Sequence, residues 1–151
     1  MKNLALLTLT AIVVSGCAHG RLSKAPSSPE LSAPVILDSM KKVADWQLTN
    51  DSPSLSHYQL NSWTYGAFYV GVMALDDIAR TPKYHEAMLA TGKKLDWQPG
   101  KRAYHADDQC VGQMYLELYL KHHDPAMLGP IKAKLDNILA HPSGDSLEFG
   151  K

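Results

Sequence analysis

The residues best equipped for chemistry lie in Tyr104–Leu120, YHADDQCVGQMYLELYL, where His105, Asp107 and Asp108 stand directly before an apolar run. Carboxylates are costly to desolvate unless they are paired, so two of them at the mouth of a buried helix point to a pocket that uses them. An Asp here also fits a helix N-cap, accepting from free backbone N–H groups at the positive end of the helix. The roles are compatible: one Asp can cap while its neighbour faces a pocket. A second polar mouth, Asn61-Ser62-Trp63-Thr64-Tyr65, precedes another apolar run. Trp63 and Tyr65 beside carboxylates and His105 form a sugar-binding mixture, because aromatic faces stack on pyranose rings while carboxylates act on hydroxyls or the glycosidic bond. Lys101 and Arg102 suit a carboxylated sugar. Each also has a purely structural reading: Trp63 as core, His105 as a hydrogen-bonded structural histidine, Lys101 and Arg102 as solvated loop charges. A metal site built from His105, Asp107, Asp108 and Cys110 lacks any established ligand spacing, so neither metal nor cofactor is expected.

Helices must carry these residues. From about Pro34 the chain reads as all-α. Ile36, Met40, Val43 and Gln47 keep helical spacing, with Asp38, Lys41, Lys42 and Asp45 opposite, and this amphipathic helix ends near Asn50. A Ser, Asp and Pro loop over residues 50–56 leads to Trp63–Arg80, apolar nearly all round and so an inner helix. Gly66 and Gly71 weaken that helix by roughly 1 kcal/mol each, which close approach of a neighbour would justify. Thr81-Pro82 opens an amphipathic helix that Gly92 ends, and residues 96–100 form a turn. Tyr104–Leu120 is a second inner helix, with Cys110 a small buried hydrophobe in its first turn. Asp124-Pro125 starts a third amphipathic stripe, in which Pro130 predicts a kink or a late start.

This outer–inner alternation carries a repeat. Gly71-Val-Met-Ala-Leu-Asp aligns with Gly112-Gln-Met-Tyr-Leu-Glu, and in the same register Thr81-Pro82 lies near Asp124-Pro125. Helix pairs repeating at about 40 residues indicate a solenoid or a closed α/α toroid. About two and a half hairpins cannot close a ring, so the sequence reads as the N-terminal part of a larger domain spanning residues 33–151.

Ahead of that domain, Lys2 and the apolar run Leu4–Val14 read as an export signal, too short for a bilayer span. Val14-Ser15-Gly16-Cys17 resembles the lipobox of bacterial lipoproteins, which implies lipidation of Cys17, a membrane anchor and a cell-envelope location. The alternative is an ordinary cleaved signal. Residues 18–32 read as a flexible linker. Basic and acidic residues balance at 15 each, so no charge excess points to nucleic acid.

The segments Ser62-Trp63-Thr64-Tyr65-Gly66-Ala67 and Tyr104-His105-Ala106-Asp107-Asp108-Gln109-Cys110-Val111-Gly112-Gln113-Met114-Tyr115 resemble the unsaturated glucuronyl and rhamnogalacturonyl hydrolases, glycoside hydrolase families 88 and 105, with family 105 the nearer. The likeness runs from about Val35 to the end. It implies an (α/α)6 barrel and removal of a 4,5-unsaturated uronic acid from the non-reducing end of lyase-generated oligosaccharides. In that chemistry an acid protonates the vinyl ether, water adds to the ring, and the hemiketal opens. The resemblance matches Asp108 or Asp107 to the first of two functional aspartates, leaning to Asp108, and Trp63 and His105 to the sugar subsite. It puts the second aspartate beyond residue 151, so the chain alone is expected to be inactive. Two other readings stand beside it: a non-catalytic helical-repeat lipoprotein that binds glycans or protein, and another (α/α)6 sugar enzyme such as an epimerase or mannosidase.

Overall fold

The computed structural model describes residues 32–50 and 58–144, and among them every regular element is helical. The signal segment with Cys17, the linker up to residue 31, most of the 50–56 loop and the last seven residues lie outside the described residues. Five α-helices follow in order: α1 (Ala33–Thr49), α2 (Trp63–Ala79), α3 (Lys83–Lys94), α4 (Gly112–His122) and α5 (Pro125–Ala140). No helix among the described residues is long and apolar enough to cross a membrane.

The hydrophobic pattern sets the packing. α2 buries Tyr69, Val72, Met73 and Leu75, each 1–2% exposed. It packs against α1, α3, α4 and the short turn that precedes α4. α4 supplies Met114, Tyr115 and Leu118, all at 0% exposure, and α3 adds Tyr84 and Met88. α2–α3 and α4–α5 are hairpins whose inner members, α2 and α4, lie against each other. This is the hairpin architecture expected for part of an (α/α)6 barrel.

The repeat is visible in the backbone. α2 ends at Arg80 and α4 at His123, both in the left-handed conformation with φ of 55° and 56°. Thr81-Pro82 and Asp124-Pro125 follow them. The Asp124 side chain caps α5, accepting from the Ala126 N–H at 3.0 Å. The Thr81 hydroxyl accepts a longer 3.4 Å bond from Lys83 N–H, and α3 begins at Lys83 rather than Pro82. Met73 and Met114, equivalent in the alignment, are both fully buried.

Several expectations are corrected. Tyr104–Leu120 is not one helix: a 3-10 turn, Ala106–Gln109, precedes α4, which begins at Gly112. Cys110 is exposed, its Sγ directed to the Ala106 carbonyl at 3.6 Å, because the turn rotates it out of the core. Gly92 lies within α3 rather than ending it, and the Trp97 indole fills the space where a side chain would stand. Trp97 reaches that place through two successive left-handed residues, Asp96 and Trp97, with φ of 49° and 55°, and meets Tyr115 edge-on. Pro130 sits inside α5 without delaying its start. The α1 stripe is not core: Ile36, Met40 and Val43 are 37–66% exposed. With Ala67, Phe68, Gly71 and Leu75 of α2 they line an open apolar groove of about 470 Å³. α1 meets the core through Ala44, Leu37 and Leu48 and is tied by Asp45, which accepts from the Tyr84 hydroxyl at 2.9 Å and pairs with Lys83 at 2.7 Å. Burial and the Asp45 bond push the Tyr84 phenol up to about 12.

The two glycines of α2 differ. A Cβ on Gly66 would lie 2.9 Å from Cys110 Cβ and 3.0 Å from backbone atoms of Cys110 and Val111, whereas one on Gly71 meets nothing within 4 Å. Close approach therefore accounts for Gly66 and not for Gly71. Gly66→Ala should cost about 1–3 kcal/mol by overpacking, while Gly71→Ala should gain up to about 1 kcal/mol of helix propensity. Urea denaturation of the two variants checks this; equal shifts would mean that α2 does not touch the turn this closely.

Candidate active site

Two loops and a turn meet beside the N-terminal end of α2. Asn61, Ser62 and Trp63 lead into α2; Gly100, Lys101 and Arg102 lie in the loop after α3; Asp107 and Asp108 sit on the 3-10 turn. Together with Tyr58 and Gln59 they line a cavity of about 280 Å³.

Asp108 is the buried charge of this site, at 8% exposure. Its Oδ2 accepts from the Arg102 backbone N–H at 2.7 Å, and its Oδ1 accepts from Arg102 Nε at 3.0 Å and Nη2 at 2.5 Å. Charge-assisted bonds of this kind are the strong ones. The Arg102 guanidinium holds the Asp108 carboxyl below the usual aspartate range, despite the opposing effect of burial. The Asp108 carbonyl accepts from Gly100 N–H at 2.8 Å. A Cβ on Gly100 would lie 2.4 Å from Asp108 Cγ, so the loop can approach the carboxylate only with glycine there. The same loop is tied from outside: Asn61 Nδ2 donates to the Pro99 carbonyl at 3.3 Å, and Lys134 Nζ of α5 donates to the Gly100 carbonyl.

Neither aspartate caps a helix through its side chain; the 3-10 turn has no side-chain cap, and Asp108 is engaged by Arg102. Asp107 lines the cavity with its side chain 45% exposed, 3.6 Å from His105 Nδ1. His105 itself does not line the cavity. Trp63 does, at 49% exposure, so it is a wall and not core. Tyr65 is 6% exposed and packs with Tyr69 in the core, away from the cavity. Arg102 lines the cavity with its side chain 60% exposed, its guanidinium donating to Asp108 through Nε and Nη2. Lys101 lines both this cavity and a neighbouring one that Lys134 helps to form. Among the described residues no group of three or more His, Cys, Asp or Glu side chains is placed to hold a metal ion. Gly100 and Lys134 were not singled out from the sequence; Pro99-Gly100 signalled only a turn, and Lys134 is 26 residues from Asp108 along the chain.

The cavity is lined by two carboxylates and an aromatic side chain and lies at one end of paired helices. The family model for Glycosyl Hydrolase Family 88 matches residues 39–146, and the chain belongs to that family. A curated relative, an unsaturated 3S-rhamnoglycuronyl hydrolase from Formosa agariphila, is 30% identical over 138 residues, covering 90% of this chain and 35% of the relative. The chain thus spans about a third of the relative's length.

Arg102→Ala tests the central pair. In the intact chain the Asp108 carboxyl should titrate below the ordinary value of about 3.9, and in the variant it should rise. A depressed carboxyl contributes stability that is present above the unfolded pKa and is lost as pH falls through the folded one. The variant should therefore be less stable at neutral pH and lose less on acidification below about pH 4. Carboxyl-detected NMR and pH-dependent denaturation measure both; unchanged titration would show that the pair does not form in solution.

Proposed function

We propose that this site takes part in glycoside hydrolysis of unsaturated uronides, by hydration of the vinyl ether at the non-reducing end of lyase-generated oligosaccharides. The observation that carries the reading is the shared cavity of Asp107, Asp108 and Trp63, in a chain of family 88. Trp63 supplies the stacking face for the sugar ring. Asp108, held ionised by Arg102, is poorly suited to donate a proton at neutral pH and anchors the Gly100–Arg102 wall. Asp107, half-exposed on the cavity wall, is the member of the pair that can reach substrate. Lys101 is the cation available to a uronate carboxylate, the part first assigned jointly to Lys101 and Arg102.

The reaction adds a proton to one carbon of the ring double bond and water to the other, after which the hemiketal opens and frees the aglycone. The resemblance puts a second functional aspartate outside these 151 residues, so the activity is proposed for a chain that carries it. The relative's printed substrate class, unsaturated 3S-rhamnoglycuronyl units, is the first to try. Lipid anchoring through Cys17, with export to the cell envelope, is proposed on the lipobox alone.

The test follows loss of ultraviolet absorbance by the substrate double bond, using the 151-residue chain and a version extended to the length of the relative. The extended protein should be active, Asp107→Asn should lower kcat by at least about 100-fold, and Trp63→Ala should chiefly raise KM. Full activity in Asp107→Asn would remove Asp107 from the chemistry. An extended protein that leaves the double bond intact but binds the oligosaccharide would favour the non-catalytic glycan-binding reading.

A further inference from the structure

Beside the acidic pair lies a second cavity, of about 370 Å³, whose polar lining is Asn61, Gln98, Lys101 and Lys134. Asn61, Gly100 and Lys101 line the first cavity as well, so the two adjoin at this segment. Two ammoniums and no carboxylate line the second one. The ion-paired lysines among the described residues are Lys42, Lys83, Lys121 and Lys132, and neither Lys101 nor Lys134 is one of them. Lys134 is half-buried and donates to the Gly100 carbonyl. An ammonium has three N–H donors, so two remain. The Asp108 carboxyl is lowered chiefly by its Arg102 bonds and only last by the charge of Lys134, which leaves that charge without a partner of its own. Asn61 spends one Nδ2 hydrogen on the Pro99 carbonyl and keeps the other.

We infer that this second cavity binds an oxyanion, a sulfate ester or a carboxylate, carried by the sugar next to the unsaturated ring, with Lys134 as its cation and Lys101 shared between the two cavities. The inference rests on the proposed seating of the unsaturated ring in the first cavity. A cation would be repelled by this lining, and an uncharged sugar would leave both ammoniums without a counter-charge. Fastening the loop does not account for Lys134, because the Gly100 carbonyl needs one donor and any amide or hydroxyl would supply it, whereas an ammonium brings a charge. A half-buried ammonium is also screened less than one on the open surface, so an anion gains more from it. Space agrees: the second cavity is larger than the first, about 370 Å³ against about 280 Å³, and so has room for a further sugar unit. The amides of Asn61 and Gln98 suit the hydroxyls of such a unit.

The experiment titrates the full 151-residue chain by NMR with disaccharides that share an unsaturated uronyl ring. Their second sugar carries a sulfate ester, a uronate carboxylate, or no charge. A charged ligand should bind at least about tenfold tighter than the uncharged one, and whichever does so identifies the source of the anion. Lys134→Gln keeps an N–H for the Gly100 carbonyl and removes the charge, so it should bring that ratio close to one, while Lys134→Arg should preserve it. A loop-fastening role alone would weaken all the ligands alike and leave the ratio standing. The same ratio, read as KM in the extended protein, covers a 151-residue chain that does not fold. Equal binding of charged and uncharged ligands, no binding of any of them, or a ratio that survives Lys134→Gln would overturn the site. The hydrolysis reading is followed separately, through the double-bond absorbance. A charge preference with the double bond left intact would sink that reading alone, and double-bond loss at equal KM for charged and uncharged ligands would sink this one alone.

Discussion

An ionised carboxylate enclosed by protein has to be met by donors, and the surroundings of Asp108 are shaped by that demand. Arg102 meets both oxygens, one through its backbone N–H and the other through its guanidinium. Reaching them requires the chain to double back over residues 100–108, which in turn requires Gly100, since any side chain there would collide with the carboxylate. The loop thus formed exposes backbone carbonyls that need donors of their own. Asn61, ahead of α2, satisfies Pro99, and Lys134 on α5 satisfies Gly100. One buried charge therefore links the entrances of both inner helices and the outer helix of the second hairpin. The cavity wall is a by-product of that linkage.

The helices supply a different kind of constraint. α2 is apolar on nearly every side and meets α1, α3, α4 and the 3-10 turn, so its position fixes theirs. Burying an apolar side chain such as Tyr69, Met73 or Leu75 contributes about 1.5–3 kcal/mol each, an upper estimate. Polar chemistry is left to the helix ends. At one end stand the acidic pair and the aromatic wall; at the other, Asp76, His85, Lys121 and His122 form a hydrogen-bonded group. At such ends the packed helices bring together polar residues far apart in sequence, as with Lys134 and Gly100 or His85 and His122.

The sequence disclosed the helices because their signals are local: apolar periodicity, the Asp124-Pro125 start, and a repeat that survives as matched left-handed residues at Arg80 and His123. It misjudged features decided by distant partners. Asp108 has the composition of an N-cap, yet a guanidinium six residues back outcompetes the backbone donors. Cys110 follows the apolar pattern of α4, but the 3-10 turn, with about three residues per turn instead of 3.6, shifts its direction to solvent. The α1 stripe has the right period and still lies half open, because periodicity says that a face is apolar and not that a partner covers it. By residue type Trp63 favours the core, yet it is 49% exposed and lines the cavity beside the Gly100–Arg102 loop.

The adjacency of Asp107 and Asp108 is the hardest case, since nothing in the residue types separates them. On a 3-10 turn successive side chains point roughly 120° apart. One member of an adjacent pair can thus face inward while the other faces the mouth, and a register change of one residue would exchange their roles. What settles the register is where Arg102 can reach, and that depends on Gly100 and the tight turn at residues 96–97. Asp108 becomes the committed charge, 8% exposed and held below the ordinary range, while Asp107 keeps a half-exposed carboxylate on the cavity wall. Two identical groups thus stand in separated environments, one enclosed and paired, the other half-exposed. Here Arg102, rather than either aspartate, makes the difference.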